Sequence, residues 1–250
     1  MGEVGAVDQL KGSVAIVTGA SRGFGRATAF RLAEAGVRVV AAAYSTGEEA
    51  LSSLTREIRD AGGEAVWRRV DVQDPSQCSD LVEWTKTEMG ALHILVNCAG
   101  LGYWGAVEQI TDVQWQRTMN VNVGGTFYLS RAAIAPMREA GRGHIVNIAS
   151  VLGRRGVPNM ASYCASKAAV IALSEALSKE VKPYNIQVSV ISPGTANTGF
   201  RDRHAGRPLD PSITDPELML QPEDVASAIL WALQASPHVA ALQVVLEPRG

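Results

Sequence analysis

Short, almost continuous apolar runs alternate with amphipathic stretches along most of this chain, and that alternation narrows its fold more than any other feature. The strand-like runs are Val14–Thr18, Val37–Ala43, Ala65–Val70, Ile94–Asn97, His144–Ala149, Ile186–Ile191 and Gln243–Leu246. Runs of this kind suit strands buried on both faces of a parallel sheet. Helical patterns lie between them, at Gly25–Ala35, Glu48–Ala61, Ser76–Met89, Thr111–Arg138, Ser162–Val181 and Pro222–Gln234. Gly36 and the pair Gly62-Gly63 stand where the first two helices should stop, and Pro75 where the third should start. Strand and helix repeated in this way predict right-handed βαβ crossovers and a Rossmann-type, doubly wound α/β sheet with helices on both faces. No linker, repeat or low-complexity tract interrupts it, so residues 1–250 are expected to form one domain.

Composition sets the outer limits. The 250 residues are 46% apolar, enough for one sizeable core. Lysine plus arginine number 23 against 25 aspartate plus glutamate, a formal net charge of -2, so no excess of positive charge exists to hold a nucleic acid backbone. Cys78, Cys98 and Cys164 are odd in number and far apart, which argues against a disulfide framework. No CxxC or HExxH spacing offers a metal site. Reduced thiols fit a cytoplasmic location. Residues 1–10 lack a signal-peptide pattern, and no apolar run approaches the roughly twenty residues of a membrane span. The expectation is a soluble cytoplasmic protein without metal, nucleic-acid or membrane partners.

The first strand ends in Thr18-Gly19-Ala20-Ser21-Arg22-Gly23-Phe24-Gly25 and runs directly into a helix. Glycines here permit a tight turn and close approach to a pyrophosphate, which the N–H groups of the helix N-terminus then meet. Asn97-Cys98-Ala99-Gly100 follows the fourth strand, Ser150 the fifth and Pro193-Gly194 the sixth. Ligands of open α/β sheets bind outside the carboxyl ends of the strands, so these loops should converge on one edge. Tyr163 and Lys167 stand four apart on a predicted helix and share a face. A free phenol ionises near 10, too high for a base at neutral pH, and an adjacent ammonium favours the phenolate. Ser150, at a strand end, is placed to hold a carbonyl oxygen as charge develops on it. His93 and His144 open buried strands at the opposite end of the sheet, where a structural role is the simpler reading.

Taken together, Thr18–Gly25, Asn97–Gly100, Asn122 within Asn120-Val121-Asn122-Val123, Ser150, Tyr163, Lys167 and Pro193–Thr198 resemble the short-chain dehydrogenase/reductase family, in its order and spacing from about Gly12 to the C-terminus. Its β-ketoacyl reductase-like members are the nearest in pattern, although the tail Leu246-Glu247-Pro248-Arg249-Gly250 lacks their Asp-Gly-Gly ending. The resemblance implies a parallel sheet of about seven strands and a nicotinamide cofactor. It implies that Tyr163 exchanges a proton with the substrate oxygen, that Lys167 lowers the Tyr163 pKa and binds the nicotinamide ribose, that Ser150 positions the substrate and that Asn122 holds a relay water. It further assigns Asp71 and Val72 to the adenine and Asn97 and Ala99 to the adenosine ribose, with Gly19, Ser21, Arg22, Gly23, Phe24, Gly25 and Gly100 also binding the cofactor. Thr195 and Thr198 would meet the carboxamide, and Pro193 and Gly194 are further cofactor-binding residues.

The end of the second strand bears on which nicotinamide is used. NAD enzymes of this fold place an Asp or Glu there, about twenty residues past the glycines, to bind the ribose 2′-hydroxyl. Here that place is Ala43, followed by Tyr44 and Ser45, and nothing acidic comes before Glu48. Arg22 can pair with a 2′-phosphate, or be a solvated loop arginine. The expectation is an NADP(H)-dependent carbonyl reductase or alcohol dehydrogenase, with NAD(H) possible. An oxidative NAD enzyme and a non-catalytic dinucleotide sensor are the alternatives, the latter disfavoured by the intact Asn122, Ser150, Tyr163 and Lys167 set. Tyr103, Trp104, Val151, Leu152, Val157 and Met160 are candidate walls for a medium-sized, partly apolar substrate; for the two aromatics, filling a surface crevice is the competing reading. Residues 199–221, with Pro208, Pro211, Pro216 and the cations Arg201, Arg203 and Arg207 beside His204, are either a substrate lid or a solvated loop. Ala165, Ala168, Ala169 and Ala172 either pack on the sheet or serve a homo-oligomer, with a tetramer expected.

Overall fold

The computed structural model describes residues 10–44, 47–200, 215–236, 239–240 and 242–249. Seven parallel strands form one sheet: β1 (Val14–Thr18), β2 (Arg38–Ala43), β3 (Ala65–Arg69), β4 (Ile94–Asn97), β5 (Gly143–Ile148), β6 (Ile186–Pro193) and β7 (Gln243–Leu246). Their order is β3-β2-β1-β4-β5-β6-β7, so the chain winds outward from β1 in both directions. The helices are α1 (Gly23–Glu34), α2 (Gly47–Asp60), α3 (Pro75–Met89), α4 (Asp112–Met119), α5 (Gly125–Glu139), α6 (Ala161–Val181) and α7 (Pro222–Leu233).

Successive side chains of a strand face opposite sides, and both sides here are covered. Ala15 and Val17 of β1 pack with Leu32 of α1, Leu54 of α2 and Ile229 of α7. Val14 and Ile16 pack with Leu81 of α3, Leu129 of α5 and Leu177 of α6. Each fully buried Leu or Ile is worth about 1.5–3 kcal/mol, which is why the strands read as unbroken apolar runs. Local chemistry fixes the helix ends. Asp74 accepts from the N–H groups of Ser76 and Gln77 at 2.9 and 3.4 Å, Pro75 opens α3, and Gly90 closes it in a left-handed turn with φ 81°. Thr111 and Gln114 form a reciprocal capping box at the start of α4.

One long helix was expected over Thr111–Arg138, and the structure divides it. A π-helical turn, Asn120–Gly124, separates α4 from α5. Such a turn holds one extra residue and rotates α5 relative to α4, and turns of this type recur at functional sites. Asn122 is at its centre. Strand β6 also runs past Ile191, because Ser192 and Pro193 pair with Val245 and Leu246.

At the far end of the sheet His93 and His144 serve the fold. The Val14 N–H donates to His93 Nδ1 at 3.1 Å, and His144 Nε2 shares a hydrogen bond with Ser189 Oγ at 2.8 Å. Burial alone pushes the His144 pKa down to about 4. The unfolded chain therefore takes up the proton first, and stability falls as pH drops from about 6.5 towards 4. Chemical denaturation at pH 7.5 and 4.5 should show His144→Gln losing about 2 kcal/mol less over that interval than the native chain. Equal losses would remove His144 as the cause.

Candidate active site

The strand-order reversal beside β1 opens a cavity of about 1100 Å³ at the carboxyl ends of the strands. Thr18 ties its floor together: its hydroxyl accepts the N–H groups of Cys98 and Ala99, both at 3.2 Å, joining the loops after β1 and β4. The glycine turn crosses closely over them. Gly19 has φ 64°, and a Cβ there would lie 2.9 Å from the Ala99 nitrogen; a Cβ at Gly25 would collide with the Gly19 carbonyl. Helix α1 starts without a side-chain cap: its flanking residue Arg22 is extended and reaches the first turn only through its carbonyl, which accepts the Arg26 N–H at 3.2 Å. Free N–H groups at a glycine cradle are what a pyrophosphate needs, so the residues present fit a dinucleotide.

Gly19, Ser21, Arg22, Gly23, Phe24 and Gly25 line the cavity at this end, with Tyr44, Asp71, Val72, Ala99 and Gly100. Ser45 lies outside the described residues. Gln73 Nε2 donates to both Asp71 carboxylate oxygens at 3.2 and 3.3 Å, fixing that side chain. Asn97 does not line the cavity. Its side chain is buried beneath, donating to Asn147 Oδ1 at 2.8 Å and Ser130 Oγ at 3.3 Å. Because β4 alternates, residue 97 falls on the inward side of the strand while the backbone turn after it faces the cavity.

Pro193, Gly194 and Thr195 line the cavity with Ser150, Tyr163 and Lys167, while Thr198 lies against the glycine turn, where a Cβ on Gly23 would stand 3.2 Å from its own Cβ. Ser150 Oγ accepts from the Leu152 N–H at 3.1 Å and donates to the Pro193 carbonyl at 3.4 Å, and it lies close enough to the Tyr163 phenol to favour the ionised form. Tyr163 and Lys167 occupy successive turns of α6. Lys167 Nζ donates to the Ile148 carbonyl at 2.7 Å and lies 5.7 Å from the Tyr163 ring centroid. Asn122 reaches the site through others. Its Oδ1 accepts the Leu101 N–H at 2.8 Å, while its Nδ2 donates to the Leu101 carbonyl at 2.8 Å and to Ser166 Oγ at 2.9 Å. Ser166 in turn donates to the Tyr163 carbonyl at 2.7 Å. The π turn thereby locks the β4–α4 loop to α6.

Burial governs the electrostatics. It raises the Tyr163 phenol to about 12, with the Ser150 hydroxyl opposing, and lowers the Lys167 ammonium to about 8. The expected lowering of the phenol by Lys167 is not what this geometry produces, since the ammonium is turned onto the Ile148 carbonyl and desolvation dominates. The phenol is held neutral.

Tyr103, Trp104, Val151, Leu152, Val157 and Met160 all line the cavity. The Gly105 N–H donates to the Asn159 carbonyl at 3.0 Å and clamps the two loops that carry them. Of the segment 199–221, residues 201–214, including Arg201, Arg203, His204 and Arg207, lie outside the described residues. Its two ends meet: the Leu220 N–H donates to the Thr195 carbonyl at 3.1 Å, and the Asn197 N–H to the Leu220 carbonyl at 2.9 Å.

The short chain dehydrogenase family model matches residues 13–206. The chain belongs to that family. An uncharacterized oxidoreductase of Staphylococcus saprophyticus is 36% identical over 244 residues, 96% of this chain and 99% of that protein. A glycine betaine reductase of Emericella nidulans is 35% identical over 242 residues, but the chain spans 19% of its length. A metagenomic short-chain oxidoreductase solved in complex with NADP superposes with a TM-score of 0.82 at 29% identity, over 96% of this chain and 99% of that one. Among the described residues no helix is long and apolar enough to cross a membrane, and no group of side chains could hold a metal.

Three features of this short-chain dehydrogenase were not anticipated. Phe200 packs on Tyr163, with centroids 5.6 Å apart and planes inclined at 53°. Arg155 and Glu247, both lining the cavity, form an ion pair at 3.2 Å. Ser166 relays between Asn122 and Tyr163. Only Phe200 left a sequence signal, standing two residues past Thr198. The cradle itself is testable: Gly25→Val should raise the Kd for a reduced nicotinamide dinucleotide about tenfold or more, measured by fluorescence titration. An unchanged Kd would contradict the close approach of Gly25 to Gly19.

Proposed function

We propose that the chain is an NADP(H)-dependent carbonyl reductase, acting in reverse as an alcohol dehydrogenase, with Tyr163 as its general acid and base. The observation that carries this reading is that the Ser150 hydroxyl and the Tyr163 phenol stand together beside a buried Lys167, in one wall of the cavity. Two hydroxyls converging in this way hold one carbonyl oxygen between them. Ser150 stabilises the charge that builds on that oxygen, and Tyr163 gives it a proton. Lys167, an ammonium at neutral pH, is placed to hold a ribose hydroxyl and to balance the phenolate left behind. Asn122 acts through position, keeping Leu101 and α6 in register. When bound, the nicotinamide supplies or accepts the hydride.

Ala43 and Arg22 support the phosphorylated cofactor, a missing carboxylate and a present cation pointing the same way. The NADP complex of the metagenomic relative supports it too. The walls formed by Tyr103, Trp104, Leu152, Val157 and Met160 favour a partly apolar substrate, with the segment 199–221 as its lid. Exposed Trp115 and Phe127 on α4 and α5, and Trp231 and Val245 on α7 and β7, support a homo-oligomer.

Tyr163→Phe keeps the ring but loses the proton, so kcat should fall about 10²–10⁴-fold with cofactor binding retained; near-normal turnover would overturn the assignment. Steady-state kinetics should favour NADPH over NADH by about tenfold or more in kcat/KM, and Ala43→Asp should reverse the preference. Comparable values in the native chain would count against NADP(H).

A further inference from the structure

Arg69 is the last residue of β3, and the reaction chemistry makes no use of it. The parallel register pairs it with Ala43, the last residue of β2, and adjacent strands lie about 4.8 Å apart. The end of β2 is where this fold recognises the adenosine ribose. Ala65 and Trp67 pack in the same layer as Ala20, Phe24 and Ala29 of the glycine turn and α1. By alternation Arg69 belongs to that face. Arg68 takes the other, its guanidinium carbon 4.4 Å from the Trp84 ring centroid on α3. Arg69 thus stands beside the end of β2 on the face of α1, and Arg22 lines the cavity from the β1–α1 turn.

Two neighbours hold Arg69. Its guanidinium carbon lies 5.3 Å from the ring centroid of Tyr44, a residue of the cavity lining, and its Nη1 lies 3.5 Å from Glu48 Oε1 in the first turn of α2. Both side chains of the ion pair are more than half exposed, and a single-contact pair of this kind is weak. A phosphate offers the guanidinium fork several oxygens at once and forms the stronger partner.

Resting on the NADP(H) reading above, we infer that Arg69 is a second ligand for the 2′-phosphate and that Glu48 is its internal competitor. The phosphate takes the guanidinium from the carboxylate as the cofactor binds, while Tyr44 keeps the fork near the cavity edge. No bond is made or broken beyond this exchange of ion partners. Glu48 also opposes the incoming phosphate by its own charge, so both effects give its removal the same sign.

Equilibrium titration of the full chain with NADPH and NADH, followed by fluorescence of the reduced nicotinamide, reads the ratio of the two Kd values. A merely structural role would shift both constants and leave their ratio unmoved. Arg69→Gln should lower the preference for NADPH by about fivefold or more, Arg69→Lys should recover part of it, and Glu48→Gln should raise it about two- to threefold. A native preference for NADPH that Arg69→Gln leaves intact overturns this assignment and spares the cofactor reading. A native ratio near one overturns the cofactor reading and this subsite with it. If Arg69→Gln fails to fold, Arg69→Lys decides in its place, and a preference equal to the native one overturns the proposal.

Discussion

Strand β1 has β2 on one edge and β4 on the other, and the geometry of the site depends on that arrangement. The chain must leave β1 through the glycine turn and later re-enter beside it through β4, so two loops are forced apart at the same end of the sheet. A crevice between them results from the connectivity alone. The hydroxyl of Thr18 then fixes its depth by holding the Cys98 and Ala99 N–H groups. Gly19 is small because the two turns cross there, and Gly25 because the start of α1 folds back onto the Gly19 carbonyl, with no room for a Cβ at either.

The same burial that makes a stable core sets the chemistry at the other end of the cavity. Tyr163 and Lys167 stand on α6, where it packs over β5 and β6, and removal from water disfavours the charged form of each. The phenol stays a phenol, and the ammonium becomes easier to deprotonate. Holding such groups requires partners, and the Ile148 carbonyl, Ser150 and the Asn122–Ser166 link supply them. The π turn is costly as an irregular helix, yet it carries the Asn122 side chain that ties Leu101 to α6.

The strands and most helices were legible in the sequence because burial on both faces of a parallel sheet leaves a local mark, an apolar run between punctuating Gly and Pro. The glycine turn, Ser150, Tyr163 and Lys167 were legible because their chemistry depends on short spacings. The π turn was not: one extra residue in a hydrogen-bond ladder leaves composition and periodicity almost unchanged. The inward direction of Asn97 depends on strand phase, which the motif does not record. Arg155 and Glu247 are 92 residues apart and meet only through the fold. The sign of the Tyr163 shift was missed for a related reason, since spacing reveals the neighbouring cation while desolvation is a property of the whole packed site.

In the proposed reaction Tyr163, held protonated by desolvation, is ready as an acid and scarce as a base. The pH dependence of kcat/KM, followed in both directions on one alcohol–ketone pair between pH 6 and 9, tests it most directly. Reduction should be nearly level up to about pH 7.5, and oxidation should climb by up to about tenfold per pH unit through the neutral range. An oxidation profile that is flat across neutral pH would mean the phenol is already ionised there, and would contradict this account.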